Sequence, residues 1–130
     1  MTQPLIEELG EVIKSPKDPR SFRTLKLPNG LSVVCVQIPH SKKASASLAV
    51  RAGHFNDPLE TQGLAHFLEH MLFLGNERFP DANEFPEFLS AYGGQQNAWT
   101  GSEFCNFFFD CQTRALSRAL DYFSAMFMAP

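Results

Sequence analysis

Residues 63–75 read GLAHFLEHMLFLG. The run is apolar on nearly every side, and its polar interruptions, His66, Glu69 and His70, are spaced as the turns of a helix require. At 100° per residue the three fall within one arc of about 100°. Leu64, Phe67, Leu68, Met71 and Leu72 occupy the opposite side, and Phe73 lies in the polar arc. The spacing predicts an amphipathic helix whose core face is the Leu/Phe/Met side. Because the segment is apolar almost all round, it is expected to be mostly buried.

Strand patterns lie on both sides of this helix. Upstream, SFRTLKLPNGLSVVCVQI (21–38) reads as two strands joined at Asn29-Gly30, a strong hairpin signal. Residues 45–51 alternate, with Ala46, Leu48 and Val50 on one face and Ser45, Ser47 and Arg51 on the other. GHFNDPLETQG is a turn-rich connection into the motif helix. Downstream, DANEFPEFLSAYGG suggests a short helix with Pro86 in its first turn, closed by Gly93-Gly94. QQNAWT and EFCNFFFDCQ then read as two further strands. From Thr113, a plausible N-cap, Leu116, Ala119, Leu120, Phe123, Met126 and Phe127 follow helical spacing. Strands followed by helices interleaved with more strands predict an α+β fold, an antiparallel or mixed sheet packed with helices. Residues 1–20 are polar and broken by Pro4, Pro16 and Pro19, so they read as an extended lead-in and residues 21–130 as the folded domain.

Composition narrows the function. In 130 residues, 44% are hydrophobic and 19% charged, which suits a globular chain. The formal net charge of −3 and the absence of a Lys/Arg cluster argue against nucleic acid as a partner. No apolar run approaches the ~20 residues of a membrane span. The N-terminus carries Glu7, Glu8 and Glu11 and no apolar stretch of signal type, so the cytoplasm is the default location. Cys35, Cys105 and Cys111 lack C-x-x-C spacing and read as free thiols in a reducing compartment.

The chemistry resides in His66-x-x-Glu69-His70. Histidines at i and i+4 stack on one helix face and both reach one metal ion, with Zn2+ the expected cofactor. Glu69 points into the same space and suits a general base, taking a proton from water whose pKa a zinc ion lowers toward neutrality. The inverted order of the motif still sets the carboxylate beside the metal face. A polar, solvent-exposed helix face without metal is the alternative; against it stands the apolar setting, in which a buried His/Glu cluster needs a partner.

Beyond the motif, GLAHFLEHMLFLGNERFP is similar to the signature of the pitrilysin/insulysin family of inverted-motif zinc metallopeptidases. LPNGLSVV resembles that family's first hairpin, SLAVRAGHFNDP its next strand and turn, and NAWTGSEFCNFFFD the strand pair after the motif helix. IKSPKDPRSFRTLKLPNGL resembles the entry of the insulysin, nardilysin and protease III branch. The resemblance runs from Ile13 to Pro130. It implies a zinc-dependent metalloendopeptidase acting on peptide substrates, with His66 and His70 as zinc ligands and Glu69 as catalytic base. It further implies that Asn97, Ala98 and Trp99 form an edge strand that pairs with extended substrate, where backbone hydrogen bonds supply affinity. Trp99 stands where a smaller aromatic is usual, His54 where a small residue is common, and Gln95-Gln96 replace small polar residues. His54 as an extra ligand is weighed against a turn histidine in solvent, and the latter is preferred.

The family's third ligand is a glutamate on a later helix, which counting from His70 falls past Pro130. Neither Glu103 nor Asp110 is spaced to replace it. The chain therefore reads as the truncated N-terminal portion of a longer peptidase, with the remainder of such a peptidase or a longer homologue as a partner. The alternative is a catalytically inactive fragment, or a peptide-binding or regulatory homologue.

Overall fold

A computed structural model of the chain describes residues 6–130. Pro4, one of the breakers of the lead-in, lies outside the described residues. The chain divides into two units that meet in sequence between Ser41 and Lys42.

The first unit is an antiparallel sheet of order β1-β2-β3, built from Glu7–Glu8 (β1), Ser21–Lys26 (β2) and Ser32–Gln37 (β3). Its hairpin forms where Asn29-Gly30 predicts one, but the turn is not a two-residue mirror-image turn. The Gly30 amide donates to Leu27 O at 2.8 Å, Asn29 keeps a negative φ, and Gly30 takes φ +88°. This is a three-residue loop closed by a left-handed glycine, which Pro28 favours by fixing φ near −65° at the first turn position. The lead-in adds β1, which pairs Glu7 with Lys26 and Glu8 with Leu25.

The second unit carries the core. Lys43–Val50 (β4), Gln95–Thr100 (β5) and Cys105–Gln112 (β6) form a sheet of order β4-β6-β5, antiparallel throughout. The third strand starts two residues earlier than its alternation suggests and stops before Arg51. Three helices follow the sequence pattern: Leu64–Met71 (α1), Glu84–Ala91 (α2) and Leu116–Met128 (α3). The α+β expectation therefore holds.

β6 organises this unit because it is the central strand and alternates strictly. Cys105, Phe107, Phe109 and Cys111 are buried on one face, while Asn106, Phe108, Asp110 and Gln112 are half-buried on the other. Phe109 stands edge-on to Phe85 of α2 and Phe123 of α3, and Phe107 edge-on to Phe127. Each such pair contributes roughly 0.5–1.5 kcal/mol beyond its burial. Leu89, Ala119 and Cys111 are fully buried, and all three cysteines are free thiols, Cys35 exposed. Tyr122 joins α3 to α2, its hydroxyl donating to Glu84 Oε1 at 2.6 Å and its ring stacked on Phe85 at 5.3 Å. Burial raises the Tyr122 phenol above its ordinary pKa, which keeps it a donor.

Two details of α3 differ from the sequence reading. Thr113 does not cap it: Thr113–Ala115 form a 3₁₀ turn, the cap position is Ala115, and no side chain bonds the first amides. The chain leaves β6 so tightly, with the Thr113 amide held by Lys42 O, that one 3₁₀ turn intervenes before the α-helix starts. Leu120, apolar and at helical spacing, is 41% exposed, and the buried stripe runs through Ala119, Tyr122, Phe123, Ala125 and Met126.

Gly94 shows why α2 ends where it does. A Cβ there would lie 1.9 Å from Asp110 O, so only a glycine lets the chain pass β6 on its way into β5. Gly94→Ala is expected to lower stability by about 2–3 kcal/mol, read by chemical denaturation, and an unchanged midpoint would show that the backbone yields there freely.

Candidate active site

The loop before α1 is fastened at both ends. The His54 and Phe55 amides donate to Gly101 O and Ser102 O at 2.9 and 2.8 Å, stitching the loop to the β5–β6 turn. The Gly53 amide donates to Asn56 Oδ1 at 3.0 Å within the turn His54–Asn56. Gly63, with φ +93°, starts the helix and offers no side chain to cap it. Asp57 takes over that task from six residues away, its carboxylate accepting the Gly63 and Ala65 amides at 2.7 and 2.8 Å. Those bonds hold the Asp57 carboxyl below its ordinary pKa, with the Ala65 amide the largest cause.

α1 is turned differently from the sequence expectation. Leu64, Phe67, Leu68 and Met71, assigned to the core face, are 46%, 62%, 56% and 44% exposed. The inward stripe is Ala65, Glu69, Leu72 and Phe73, at positions i, i+4, i+7 and i+8, and Glu69 is its most buried member at 7% exposure. The helix is thus half-exposed rather than mostly buried. Polarity misleads here because a hydrogen-bond donor waits on the sheet. Thr100 Oγ1, at the end of β5, donates to Glu69 Oε2 at 2.5 Å.

Beside this buried carboxylate, His66 and His70 are exposed. Their Nε2 atoms are 3.1 Å apart and their ring centroids 4.8 Å. A carboxylate oxygen of Glu69 and a nitrogen of each histidine all lie within 4.8 Å of one another. The donor set fits a divalent ion such as zinc: two imidazole nitrogens on a tetrahedral ion at ~2.0–2.1 Å would be separated by about 3.3 Å. No other His, Cys, Asp or Glu joins this cluster among the described residues. His54 sits edge-on to His66 with ring centroids 6.4 Å apart, but its side chain is 43% exposed and its Nδ1 is 3.8 Å from Asp57 Oδ2. It is the solvent-facing turn histidine that was expected. Asp110 is engaged by Lys43, which lowers its pKa, and lies opposite Gln95 at the end of the hairpin remote from Thr100. Glu103 lies in the β5–β6 turn.

β5 is an edge strand among the described residues, bonded on one side by β6. The Gly101 amide donates to Phe104 O at 2.9 Å. Alternation from that pair places Trp99–Asn106 and Asn97–Phe108 in the bonded positions and turns the backbone groups of Ala98 to the open edge. The Ala98 amide is met there by Asn97 Oδ1 at 2.8 Å. Trp99, on the other face, packs edge-on against Phe104 at 5.0 Å and stays 45% exposed.

Thr100 is the residue the sequence reading missed. It lies at the end of a recognised strand, and no local pattern connects it with Glu69, 31 positions away. Asp57 was missed for the same reason: its cap partner lies eight residues on, outside the usual capping distance.

Known proteins share the sequence pattern and the fold of this chain. The model of the insulinase family, peptidase family M16, matches residues 32–130. The chain is 43% identical over its whole length to insulin-degrading enzyme of Homo sapiens, covering 13% of that protein. It is 47% identical over 92% of its length to the A-factor-processing enzyme of Saccharomyces cerevisiae, covering 12% of that protein. The crystal structure of pitrilysin superposes with a TM-score of 0.91 over 96% of the chain and 13% of that structure, at 34% identity. The chain thus spans about an eighth of the length of these relatives.

A carboxylate whose folded pKa is depressed stabilises the fold above its unfolded pKa, near 3.9, and loses that contribution as pH falls through the folded value. Asp57→Asn is accordingly expected to lower the melting temperature at pH 7 by about 5 °C and to flatten the acid limb of the stability profile below about pH 4. Parallel acid limbs for the two proteins would remove Asp57 as the cause.

Proposed function

Since the chain belongs to the insulinase family of peptidases, M16, we propose that it supplies the metal-binding part of a zinc-dependent metalloendopeptidase that cleaves oligopeptides. The observation that carries this reading is the triad itself: two imidazoles 3.1 Å apart beside a buried, oriented carboxylate. His66 and His70 would hold Zn2+ through Nε2. When bound, the ion supplies Lewis acidity and lowers the pKa of water toward neutrality.

The chain's own residues do the rest. Glu69 accepts the proton of the attacking water and delivers it to the departing amine nitrogen as the C–O bond forms and the C–N bond breaks. Oε1 carries that proton, because Oε2 is occupied by Thr100. The extended peptide adds to β5 beside Asn97, Ala98 and Trp99, exchanging the Asn97 side chain for its own backbone on the Ala98 amide. That contact reads no side chain, which suits a binder of varied peptides, and Trp99 offers an exposed aromatic face nearby. The proposed setting is the cytoplasm, and the proposed partner is the remainder of such a peptidase or a longer homologue. Neither nucleic acid nor a membrane is proposed; no helix among the described residues is long and apolar enough to cross one.

A second reading is a catalytically inactive peptide-binding or regulatory homologue. It draws on the cluster's composition: with Glu69 kept as the base, two histidines are left as ligands among the described residues, where a catalytic zinc has three protein ligands besides water. The two readings separate on one preparation. The first expects one equivalent of zinc, peptide cleavage lost on chelation, and a fall of about 10²–10⁴ for Glu69→Gln. Cleavage by Glu69→Gln at the parent rate rules out Glu69 as the base. Zinc or peptide binding without turnover, by the chain alone and together with a longer homologue, favours the second.

A further inference from the structure

Glu69 lies close enough to His66 and His70 to serve as a metal ligand, since all three donor atoms fall within 4.8 Å of one another. The same carboxylate cannot both coordinate the ion and act freely as a base. Its hydrogen-bond partner decides between the two, and that partner is Thr100. We infer that Thr100 is a positioning residue whose hydroxyl engages Glu69 Oε2 and so withholds the carboxylate from the ligand set of His66 and His70.

Proton inventory makes the arrangement directional. A threonine hydroxyl has one proton and two lone pairs. Thr100 Oγ1 spends its proton on Glu69 Oε2, so its 3.3 Å contact with Cys105 Sγ is completed by the thiol as donor. Cys105 is buried, at 6% exposure, behind the threonine and opposite it in the β5–β6 register. The chain Cys105 to Thr100 to Glu69 therefore points one way, toward the carboxylate. The hydroxyl is carried by the last residue of β5, and the β5–β6 turn that follows is tied by Gly101 O and Ser102 O to the loop before α1. Both ends of the Thr100–Glu69 bond thus sit on elements stitched together, which keeps the contact short. If that hydroxyl is replaced by a methyl group, Oε2 is left buried without a strong partner. A bare carboxylate in that position costs free energy, and the cation beside it offers the strongest compensation within reach.

The inference rests on the metal-binding reading of His66 and His70, and its test reports on the two separately. The probe is Co2+ added to the full 130-residue chain, followed by its visible absorption and by equilibrium dialysis. Thr100→Val, isosteric but without a donor, is expected to bind Co2+ at least about fivefold more tightly, because ligand count and charge set affinity, and with an altered spectrum. Thr100→Ser restores the hydroxyl and should return both to parental values. Glu69→Gln in the Thr100→Val background should erase the gain, whereas Glu69→Gln alone should leave the parental Co2+ spectrum unchanged, since the carboxylate is then outside the ligand set. Thr100→Val binding Co2+ no more tightly than the parent overturns the role of Thr100 while leaving the histidine site intact. A Co2+ spectrum changed by Glu69→Gln alone overturns it too, since the carboxylate would then be a ligand despite Thr100, and this result does not depend on the valine variant folding. A parent chain that binds no Co2+ overturns the metal reading and this inference with it.

Discussion

A carboxylate in the middle of a helix's core stripe is the constraint on which the second unit is built. Glu69 sits where a leucine would pack, inside the contact between α1 and β5, with Ala65, Leu72 and Phe73 around it on the same face. An unpartnered buried carboxylate is expensive, so the helix holds this rotation only if a donor meets it from the sheet. Thr100 is that donor. The bond requires α1 to lie at one height along β5 and at one angle about its own axis. Once both are set, His66 and His70 must emerge at the helix flank with their nitrogens converging, while Leu64, Phe67, Leu68 and Met71 face away.

The rest of the unit supplies a platform stiff enough to keep that register. β6 runs between β4 and β5 and buries every second side chain, and its phenylalanines lock edge-to-face with rings from α2 and α3. With β6 held, β5 cannot slip: a one-residue shift would exchange Gln96, Ala98 and Thr100 for Gln95, Asn97 and Trp99 on the helix side. The same order places β5 at the edge among the described residues, so its outer backbone groups at Ala98 are not bonded within the sheet and the Ala98 amide is met by Asn97 Oδ1. A buried carboxylate, a pair of convergent imidazoles and a sheet edge thus follow from one set of packing constraints.

Legibility differed from residue to residue. The helices and strands of the second unit were readable because their periodicities are unambiguous, above all the alternation of Cys105, Phe107, Phe109 and Cys111. The His66/Glu69/His70 string was readable because helical geometry alone brings i and i+4 together. The face of α1 is not legible from hydrophobicity because the helix is apolar nearly all round. In such a helix the moment is decided by a few polar residues, and one of them here is buried by a specific bond. Thr113 failed as a cap because the tight exit from β6 takes up the residues a cap would need, and the hairpin at Gly30 took a longer loop because Pro28 shapes the turn.

The sequence by itself determined the element order from β2 onward, the α+β class, the helix that carries His66, Glu69 and His70, and the family, since each depends on neighbours within a few residues or on a contiguous pattern. The tertiary structure decided which side of α1 meets the sheet, that Glu69 rather than a leucine is the buried residue, that Thr100 and Asp57 hold the site in place, and which backbone groups of β5 remain open. These depend on hydrogen bonds and contacts between segments distant in the chain, 31 positions apart for Thr100 and Glu69. No local periodicity encodes a partner that only folding brings within reach.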